Sequence, residues 1–329
     1  MRELVRTNDA VLVSAIEALL RGAEIPHLVL DQNMSVLEGS LGILPRRILV
    51  DDEHQEHARR LLEDAGLAHE LRPLTGAPAL TDDAVLDGRL RLTQQRGGHR
   101  VGHDAILLAA ATPARAGDHA VDLGAGVGGA GLAVAVRVTD VTVTLVEIDP
   151  ALAAIAGENI VRNGLAARAR AVVLDVAAPA DTFAAAGLGP GAADHVLMNP
   201  PFNDPARQNV SPDPDRRSAH AAPAASLGAW VDAAAWLLHS AGTLTMIWRA
   251  EGLAQVLAAL DRRFGGIAIL PVHGRAGAPA IRVLVRACKG SRTPLALLPA
   301  LVLNDRSGRP TAEAEAVLRA AAPLPLAEN

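Results

Sequence analysis

The chain has 329 residues, half of them apolar and a fifth charged, with a net charge of −5 and a pI near 6.1. That composition excludes a disordered or collagen-like chain and leaves room for two domains with a full core. A single cysteine, Cys288, excludes an internal disulfide and a cysteine-rich zinc cage.

The uncharged run 233–248 is 16 residues long and interrupted by His239, Ser240 and Gly242, short of the roughly 20 that a membrane-spanning helix needs. Met1-Arg2-Glu3-Leu4 lacks the apolar core of a signal peptide, so a cytoplasmic protein without membrane contact is expected. Lys289 is the only lysine and tyrosine is absent, which reads as a GC-rich coding bias and weakens any argument from arginine content. The distribution of charge says more. Residues 1–75 carry −5, residues 76–198 carry −4 and residues 199–329 carry +4, with eight basic against two acidic residues in 249–292. A polyanionic ligand responds to such a local excess rather than to the overall pI.

In chain order, residues 1–72 predict a small α+β domain of the pattern βαββα. Strands are expected at Leu4 to Arg6, Pro26 to Asp31 and Arg47 to Val50. Helices are expected over Val11 to Leu20, capped by Asn8 or Asp9, and over Glu53 to Asp64, ended by Gly66. His54 and His57 lie three apart on the second helix without a third ligand nearby, so a surface helix is preferred to a metal site, and no metal is expected anywhere. The opening Glu3-Leu4-Val5-Arg6-Thr7-Asn8, Leu37-Glu38-Gly39 and Arg59-Arg60-Leu61-Leu62 resemble a small bacterial signal-transducing domain of unknown function. The resemblance implies an accessory unit with a regulatory or dimerising role and no chemistry of its own. Pro73, Gly76, Pro78, Asp82 and Asp83 mark 73–83 as a linker.

Residues 84–329 alternate strand-like and helix-like runs, which predicts a mostly parallel sheet covered by helices on both faces. The expected strands are Ala120 to Leu123, Val141 to Glu147, Ala171 to Asp175, His195 to Met198, Thr243 to Trp248, Ile267 to Pro271 and Ile281 to Arg286. The first runs into Gly124-Ala125-Gly126-Val127-Gly128-Gly129 and then a helix over Ala130 to Val138. Such a loop fits a dinucleotide site, a nucleoside site or a tight turn. Asp122 before the glycines and Glu147 at the end of the next strand sharpen it. Glu147 lies 21 positions after Gly126, the interval at which an acid reaches ribose hydroxyls. Asp175 ends the third strand, and Asp149 is expected to cap the helix beginning at Pro150.

The fourth strand ends in Asn199-Pro200-Pro201-Phe202. Two prolines restrict the backbone so that the Asn199 amide oxygen and the Pro200 carbonyl can aim together, two acceptors suited to a planar NH2 group. Phe202 offers a face for a ring to stack on. This succession resembles the class I S-adenosylmethionine-dependent methyltransferases that methylate amines. The resemblance implies a Rossmann-like seven-stranded sheet. It implies that Asp122, Gly124, Gly126 and Gly128 hold the methionine part of S-adenosylmethionine, with Glu147 on the ribose and Asp175 near the adenine. It also implies that Asn199, Pro200, Pro201 and Phe202 bind the target nitrogen.

Gln94-Gln95-Arg96-Gly97-Gly98-His99-Arg100-Val101-Gly102-His103-Asp104-Ala105-Ile106-Leu107-Leu108-Ala109 further resembles the segment before the glycine loop in bacterial tRNA adenine-N6 methyltransferases acting on a valine tRNA. That implies Asp104 close to the cofactor and tRNA as the RNA partner. Arg207, Arg216 and Arg217 after the catalytic strand, and Arg249, Arg262, Arg263, Arg275, Arg282, Arg286, Lys289 and Arg292 later, are the candidate phosphate contacts, with Arg207, Arg275 and Arg282 foremost. The Asn-Pro-Pro-aromatic motif also serves glutamine-N5 methylation in release factors and guanine-N2 methylation in rRNA. A nicotinamide dehydrogenase would share the glycine loop but not explain Asn199 to Phe202, and a regulatory binding protein is suggested only by residues 1–72.

Overall fold

The computed structural model describes residues 2–7, 9–23, 25–30, 46–51, 54–67, 70–71, 80–96, 101–201, 226–261 and 263–328. The chain divides into two compact units, Met1–Pro78 and Ala79–Asn329.

In the first unit, strand β1 (Arg2–Thr7), helix α1 (Ala10–Gly22), strands β2 (His27–Leu30) and β3 (Arg46–Val50) and helix α2 (Gln55–Asp64) follow in order. The sheet is antiparallel with β3 in the middle, in the order β1-β3-β2. Asp9 caps α1, its Oδ1 accepting from Val11 N at 2.8 Å and Leu12 N at 3.2 Å, which satisfies two of the donors a helix start leaves free. Leu4, Val5, Val13, Ile16, Leu20, Ile48, Val50, Ala58 and Leu62 form one buried core. Gly66, at φ +77°, follows α2 where a left-handed residue closes the last turn.

The second unit opens on a hairpin of β4 (Leu80–Val85) and β5 (Leu90–Gln95), followed by α3 (His103–Ala111). Then come β6 (His119–Leu123), α4 (Gly129–Arg137), β7 (Thr142–Glu147), α5 (Pro150–Arg162), β8 (Ala169–Val173), α6 (Ala180–Ala185), β9 (Ala193–Met198), α7 (Leu227–Leu237) and β10 (Leu238–Arg249). The chain ends with α8 (Leu253–Leu260), β11 (Phe264–His273), β12 (Ala280–Lys289), the two-residue strands β13 (Ala296–Leu297) and β14 (Leu301–Val302), α9 (Ala312–Leu318) and α10 (Pro325–Glu328).

The main sheet runs β8-β7-β6-β9-β10-β12-β11, with β13 and β14 added along the outer side of β11. Every strand is parallel except β12, which pairs antiparallel with both β10 and β11. This is the Rossmann-like α/β architecture, and all seven expected strands are present in it. Alternation splits each central strand between two cores. Val196 and Met198 of β9 join one core with Trp230 and Val231 of α7. Leu197 of the same strand joins the other, with α3 and α4. Strand order reverses between β6 and β9, so the crevice at their C-terminal ends is the switch point where open α/β sheets take ligands.

One expectation needs correction. Residues 80–83 belong to β4 and not to a linker, and β5 was not foreseen at all. The acids that read as turn formers have partners. Asp82 pairs with Arg91 at 2.5 Å and with Arg162, and Asp83 Oδ2 accepts from Thr81 Oγ1 at 2.7 Å and Gln94 Nε2 at 2.8 Å. The hairpin is fastened to α5 by two asparagines one helical turn apart. Asn159 exchanges bonds with Thr93 N (2.7 Å) and O (3.0 Å), and Asn163 with Arg91 N (2.9 Å) and O (2.7 Å), so their amides stand in for a neighbouring strand.

Candidate functional site

The site is built at the C-terminal ends of β6, β7 and β9. The loop after β6 turns through three glycines in the left-handed region, Gly124 at φ +69°, Gly126 at +56° and Gly128 at +93°. Gly124 is required for a second reason. A Cβ there would lie 2.4 Å from Cη2 of Trp230, whose ring closes against the loop from α7. Val101 covers Gly129, where a Cβ would sit 2.6 Å from both its methyl groups. The loop thus meets a tryptophan and a valine with backbone instead of side chain at both contacts.

Three further side chains fix it. Glu147, 8 % exposed at the end of β7, accepts from Gly126 N at 2.7 Å through Oε2 and from Asp149 N at 2.9 Å through Oε1. Asn159, fully buried, donates to Val127 O at 3.0 Å as well as to β5, joining the loop to the hairpin. Asp122, 2 % exposed, accepts from Gly131 N at 2.8 Å in the first turn of α4. Burial, together with the nearby Glu147 charge, raises its carboxyl from 3.8 to about 7 against the opposing Gly131 bond. Asp122, expected on the methionine part of the cofactor, anchors the start of α4 through this Oδ2 bond.

Asp149 caps α5 as expected, accepting from Ala151 N at 2.8 Å and Leu152 N at 3.3 Å, which leaves Glu147 as the strand-end acid facing the loop. Asp175 lies two residues beyond β8, which ends at Val173, and its Oδ1 accepts from Ala177 N at 2.8 Å in a local turn.

At the end of β9, Leu123 of β6 stands opposite Met198, so Gly124 and Asn199 leave the sheet side by side. Asn199 is half-buried, Pro200 buried and Pro201 exposed. The Asn199 Oδ1 atom is inaccessible to solvent and has no hydrogen-bond partner. A buried acceptor left without a donor costs free energy, so this atom is a position where a ligand would be expected to complete the structure. Phe202, Arg207, Arg216 and Arg217 lie outside the described residues.

The cationic segment 249–292 does not form one patch. Antiparallel β12 returns the chain across the sheet, which sends Arg249, Arg275 and Arg282 to the C-terminal edge and Arg263, Lys289 and Arg292 to the opposite one. Most of these charges are also occupied. Arg282, expected on phosphate, donates to Asp104 at 2.8 Å, so two residues assigned separate ligand contacts bind each other. Arg249 pairs with Glu251 at 3.2 Å and Arg263 with Asp232 at 2.5 Å. Arg286 donates to Leu326 O at 2.6 Å and Lys289 to Leu238 O at 2.5 Å. Arg275 is exposed on the hairpin between β11 and β12, while Arg262 lies outside the described residues.

An open depression of about 1100 Å³, lined by Trp236, Arg263, Cys288 and Lys289 among others, lies at the opposite edge of the sheet and contains none of the strand-end residues of β6, β7 and β9. The side chains that sequence reasoning missed are Trp230 and Asn159, while Gln94 and Val101 belong to the segment it singled out without giving either a role. Gln94, 2 % exposed, accepts from Val101 N at 2.9 Å and so sets the valine over the loop. No group of three or more potential metal ligands occurs among the described residues. Nor is any helix there long and apolar enough to cross a membrane.

Residues 99–274 match the family model described as "Methyltransferase small domain", more than half of the chain. Residues 1–66 match one described as "Putative prokaryotic signal transducing protein". Among solved structures, a "predicted O-methyltransferase" from Agrobacterium tumefaciens is 31 % identical, with 65 % of this chain and 94 % of that one covered at a TM-score of 0.56. The 16S rRNA N2 G1207 methyltransferase of T. thermophilus, in complex with AdoMet and guanosine, is 19 % identical, with 86 % and 63 % covered and a TM-score of 0.48. No curated protein matches in sequence. The glycine loop, its strand-end acid and the 99–274 match agree: the chain belongs to the methyltransferase small-domain family and is an S-adenosylmethionine-dependent methyltransferase.

Proposed function

We propose that the protein methylates a conjugated NH2 group, the N6 amine of an adenine in tRNA. The observation that carries the nitrogen target is the buried, unpartnered Oδ1 of Asn199 beside Gly124. An acceptor held there suits a group that brings N–H donors, whereas a deprotonated oxygen nucleophile would meet it with like polarity. The adenine and tRNA parts of the reading rest on the Gln94 to Ala109 resemblance and on Asn199-Pro200-Pro201-Phe202.

The residues fit S-adenosylmethionine. The left-handed turn at Gly124, Gly126 and Gly128 leaves backbone at the loop surface, and a Cβ on Gly126 would meet nothing within 4 Å. Glu147 uses one lone pair of each oxygen on the loop, and each oxygen retains another for a ribose hydroxyl. Asp175, two residues beyond the end of β8, is the residue that would lie near the adenine on this reading. When bound, this cofactor supplies a methyl group that is already electrophilic.

The protein's share is orientation and exclusion of water. The amine lone pair of adenine is delocalised into the ring. Asn199 Oδ1 and the Pro200 carbonyl accept its two N–H bonds and hold the nitrogen with its lone pair turned toward the methyl group. Bound at this loop, the cofactor would supply the methyl group, and a nitrogen that has taken it up is acidic enough to lose its proton without a strong base. A base in a stack cannot reach this position, so the target adenine is flipped or unpaired.

Mass analysis of tRNA nucleosides from cells lacking the protein tests the assignment. Loss of N6-methyladenosine supports it. An unchanged tRNA with an unmethylated glutamine in a release factor moves the reaction to a protein amide.

A further inference from the structure

The turn between β11 and β12 and the loop between β14 and α9 are fastened together at the C-terminal edge of the sheet. Ala276 N donates to Asn304 O at 2.9 Å, and the Asn304 side-chain amide donates to Gly274 O at 2.8 Å. The second loop is also closed on itself. Asp305 Oδ1 accepts from Ser307 N at 2.8 Å and from Arg309 N at 3.0 Å, Asp305 N donates to Arg309 O at 2.8 Å, and Gly308 turns the chain at φ +85°. A Cβ on Gly308 would stand 3.4 Å from Nη2 of Arg275, so the guanidinium of the first loop lies against the second. Arg306 and Arg309 flank that glycine in the chain.

Three arginines are thereby carried on two loops fixed to each other, and all three are exposed. Asp305, which holds the turn, is the only acidic residue in 273–280 and 303–311. Among the described residues no carboxylate comes within ion-pair distance of Arg275, Arg306 or Arg309, whereas Arg249, Arg263 and Arg282 each have one. Arg306 and Arg309 lie outside the basic segment 249–292, and only the fold brings them to Arg275. The register also says where they stand relative to the site. Met246 of β10 is level with Met198 of β9, but β10 continues to Arg249, which is opposite Arg282 of β12, itself opposite Val272 of β11. The loops therefore rise beyond the level of Asn199 and two to three strands to its side, roughly 10 to 14 Å at the usual strand spacing.

We infer that these joined loops are a phosphate-binding platform for the RNA strand that flanks the target nucleotide, with Arg275, Arg306 and Arg309 as its contacts. The inference rests on the proposed RNA substrate and adds where that substrate is held. A guanidinium suits a phosphate because its planar fork donates two parallel hydrogen bonds to the oxygens. Loops already fixed by hydrogen bonds lose little further freedom on binding. Contacts to phosphate position a strand without reading its sequence. The platform thus sets affinity, and the choice of base stays at Asn199.

The test uses the full chain and total tRNA from cells lacking it, with binding followed from about 50 to 200 mM salt. Arg275→Gln, Arg306→Gln and Arg309→Gln should each reduce the slope of log affinity against log salt by about 1, and the triple variant by about 2 to 3. At low salt the triple variant should bind tRNA roughly tenfold or more weakly. Cofactor affinity, and kcat at saturating tRNA, should stay within about twofold of wild type, as expected when binding is lost equally from ground and transition states. Arg292→Gln, exposed at the opposite edge, should leave the slope unchanged.

A triple variant with the wild-type slope overturns the platform. So does an equal change with Arg292→Gln, which would make the effect one of net charge, and so does a loss confined to kcat. The broader reading fails separately. Wild type that labels a release factor and no tRNA sinks the RNA substrate and the platform with it, whereas tRNA labelled by wild type and bound with the same slope by the triple variant sinks the platform alone.

Discussion

The two edges of the main sheet are made from the same seven strands and differ in how their polar groups are treated. At the N-terminal edge, His195 bonds Asp118 at 2.9 Å and Thr243 at 2.7 Å. His119 bonds Ala192 O at 2.7 Å and Thr144 at 3.0 Å, and Asp194 receives His119 N at 2.7 Å and His239 at 3.0 Å. Each of these imidazoles and both carboxylates has a partner there. At the C-terminal edge Asn199 Oδ1 and Trp230 Nε1 are buried without one, and the chain turns through three left-handed glycines. A closed network of this kind ties strands together, whereas a glycine turn at a switch point leaves backbone where open α/β sheets take ligands. Three histidines clustered at one edge would attract a search for catalysis, and their geometry answers that they are structural.

The largest expected effect tests that division directly. Asn199→Ala should lower methyl transfer by on the order of 10²- to 10³-fold, the loss typical when one oriented hydrogen-bonding group is removed from a reacting centre. Cofactor affinity measured by calorimetry should remain close to that of wild type. Parallel loss of both would place Asn199 on the cofactor instead of the target.

Next in size is Asp122, which sits at the ligand edge but behaves as structure. Its carboxyl is raised from 3.8 to about 7, chiefly by burial. Between those values the folded protein keeps a proton that the unfolded chain has released, so stability from this site falls as pH rises and the loss is complete above the folded value. At about 1.4 kcal/mol for each pH unit in that window, the buried carboxylate costs on the order of a few kcal/mol at pH 8. Asp122→Asn should flatten the decline in urea-unfolding free energy between pH 4 and pH 8. A variant whose pH profile parallels the wild type would show that Asp122 is ionised without cost.

The opposite edge gives a smaller effect confined to stability. His195→Gln should lose roughly 1–3 kcal/mol by breaking the bridge between Asp118 and Thr243, with methyl transfer and cofactor affinity intact at 25 °C. Burial holds His195 below its ordinary 6.5 despite the Asp118 partner. The unfolded chain therefore takes up the proton first, and the wild type loses stability from this site as pH falls through 6.5. His239 acts in the other direction, because the Ser240 carbonyl raises it. Subtracting the variant's pH profile from the wild type's isolates His195. A variant with normal stability but impaired catalysis would contradict the division between the edges.

How much of this was legible in the sequence follows from range. All seven main strands, the glycine loop and the Asp149 cap are local patterns and all are present, although β8 ends at Val173 and not at Asp175 as its residues imply. The ends of β6, β7 and β9 could be aligned because parallel strands joined by helices return to the same edge. What escaped depends on partners distant in the chain. Asp82 and Asp83 look like turn residues until Arg91, Arg162 and Gln94 are known to meet them. The bond from Gly131 to Asp122, nine positions along the chain, is likewise invisible in the sequence. Trp230 sits in an alanine-rich helix with no motif, and only the glycine it closes against, 106 positions earlier, gives it meaning.

The smallest expected effect concerns the basic residues. Charge density along the chain suggested one phosphate-binding face, but the reversal at β12 divides it, and the Asp104 contact takes Arg282 out of the set of open cations. Arg275 is exposed on the β11–β12 hairpin at the same edge as Asn199, while Arg292 is exposed beyond the end of β12 at the other edge. If tRNA is bound across the C-terminal edge, Arg275→Glu should weaken binding and reduce the slope of log affinity against log salt by about 1. Arg292→Glu should leave the slope unchanged. Arg282→Ala, which removes a partly exposed ion pair, should cost less than about 1 kcal/mol in stability, and its effect on tRNA should be insensitive to salt because the charge is already neutralised by Asp104. Equal slopes for Arg275→Glu and Arg292→Glu would mean that RNA wraps both edges or neither, and the distinction drawn between them would then hold for chemistry but not for binding.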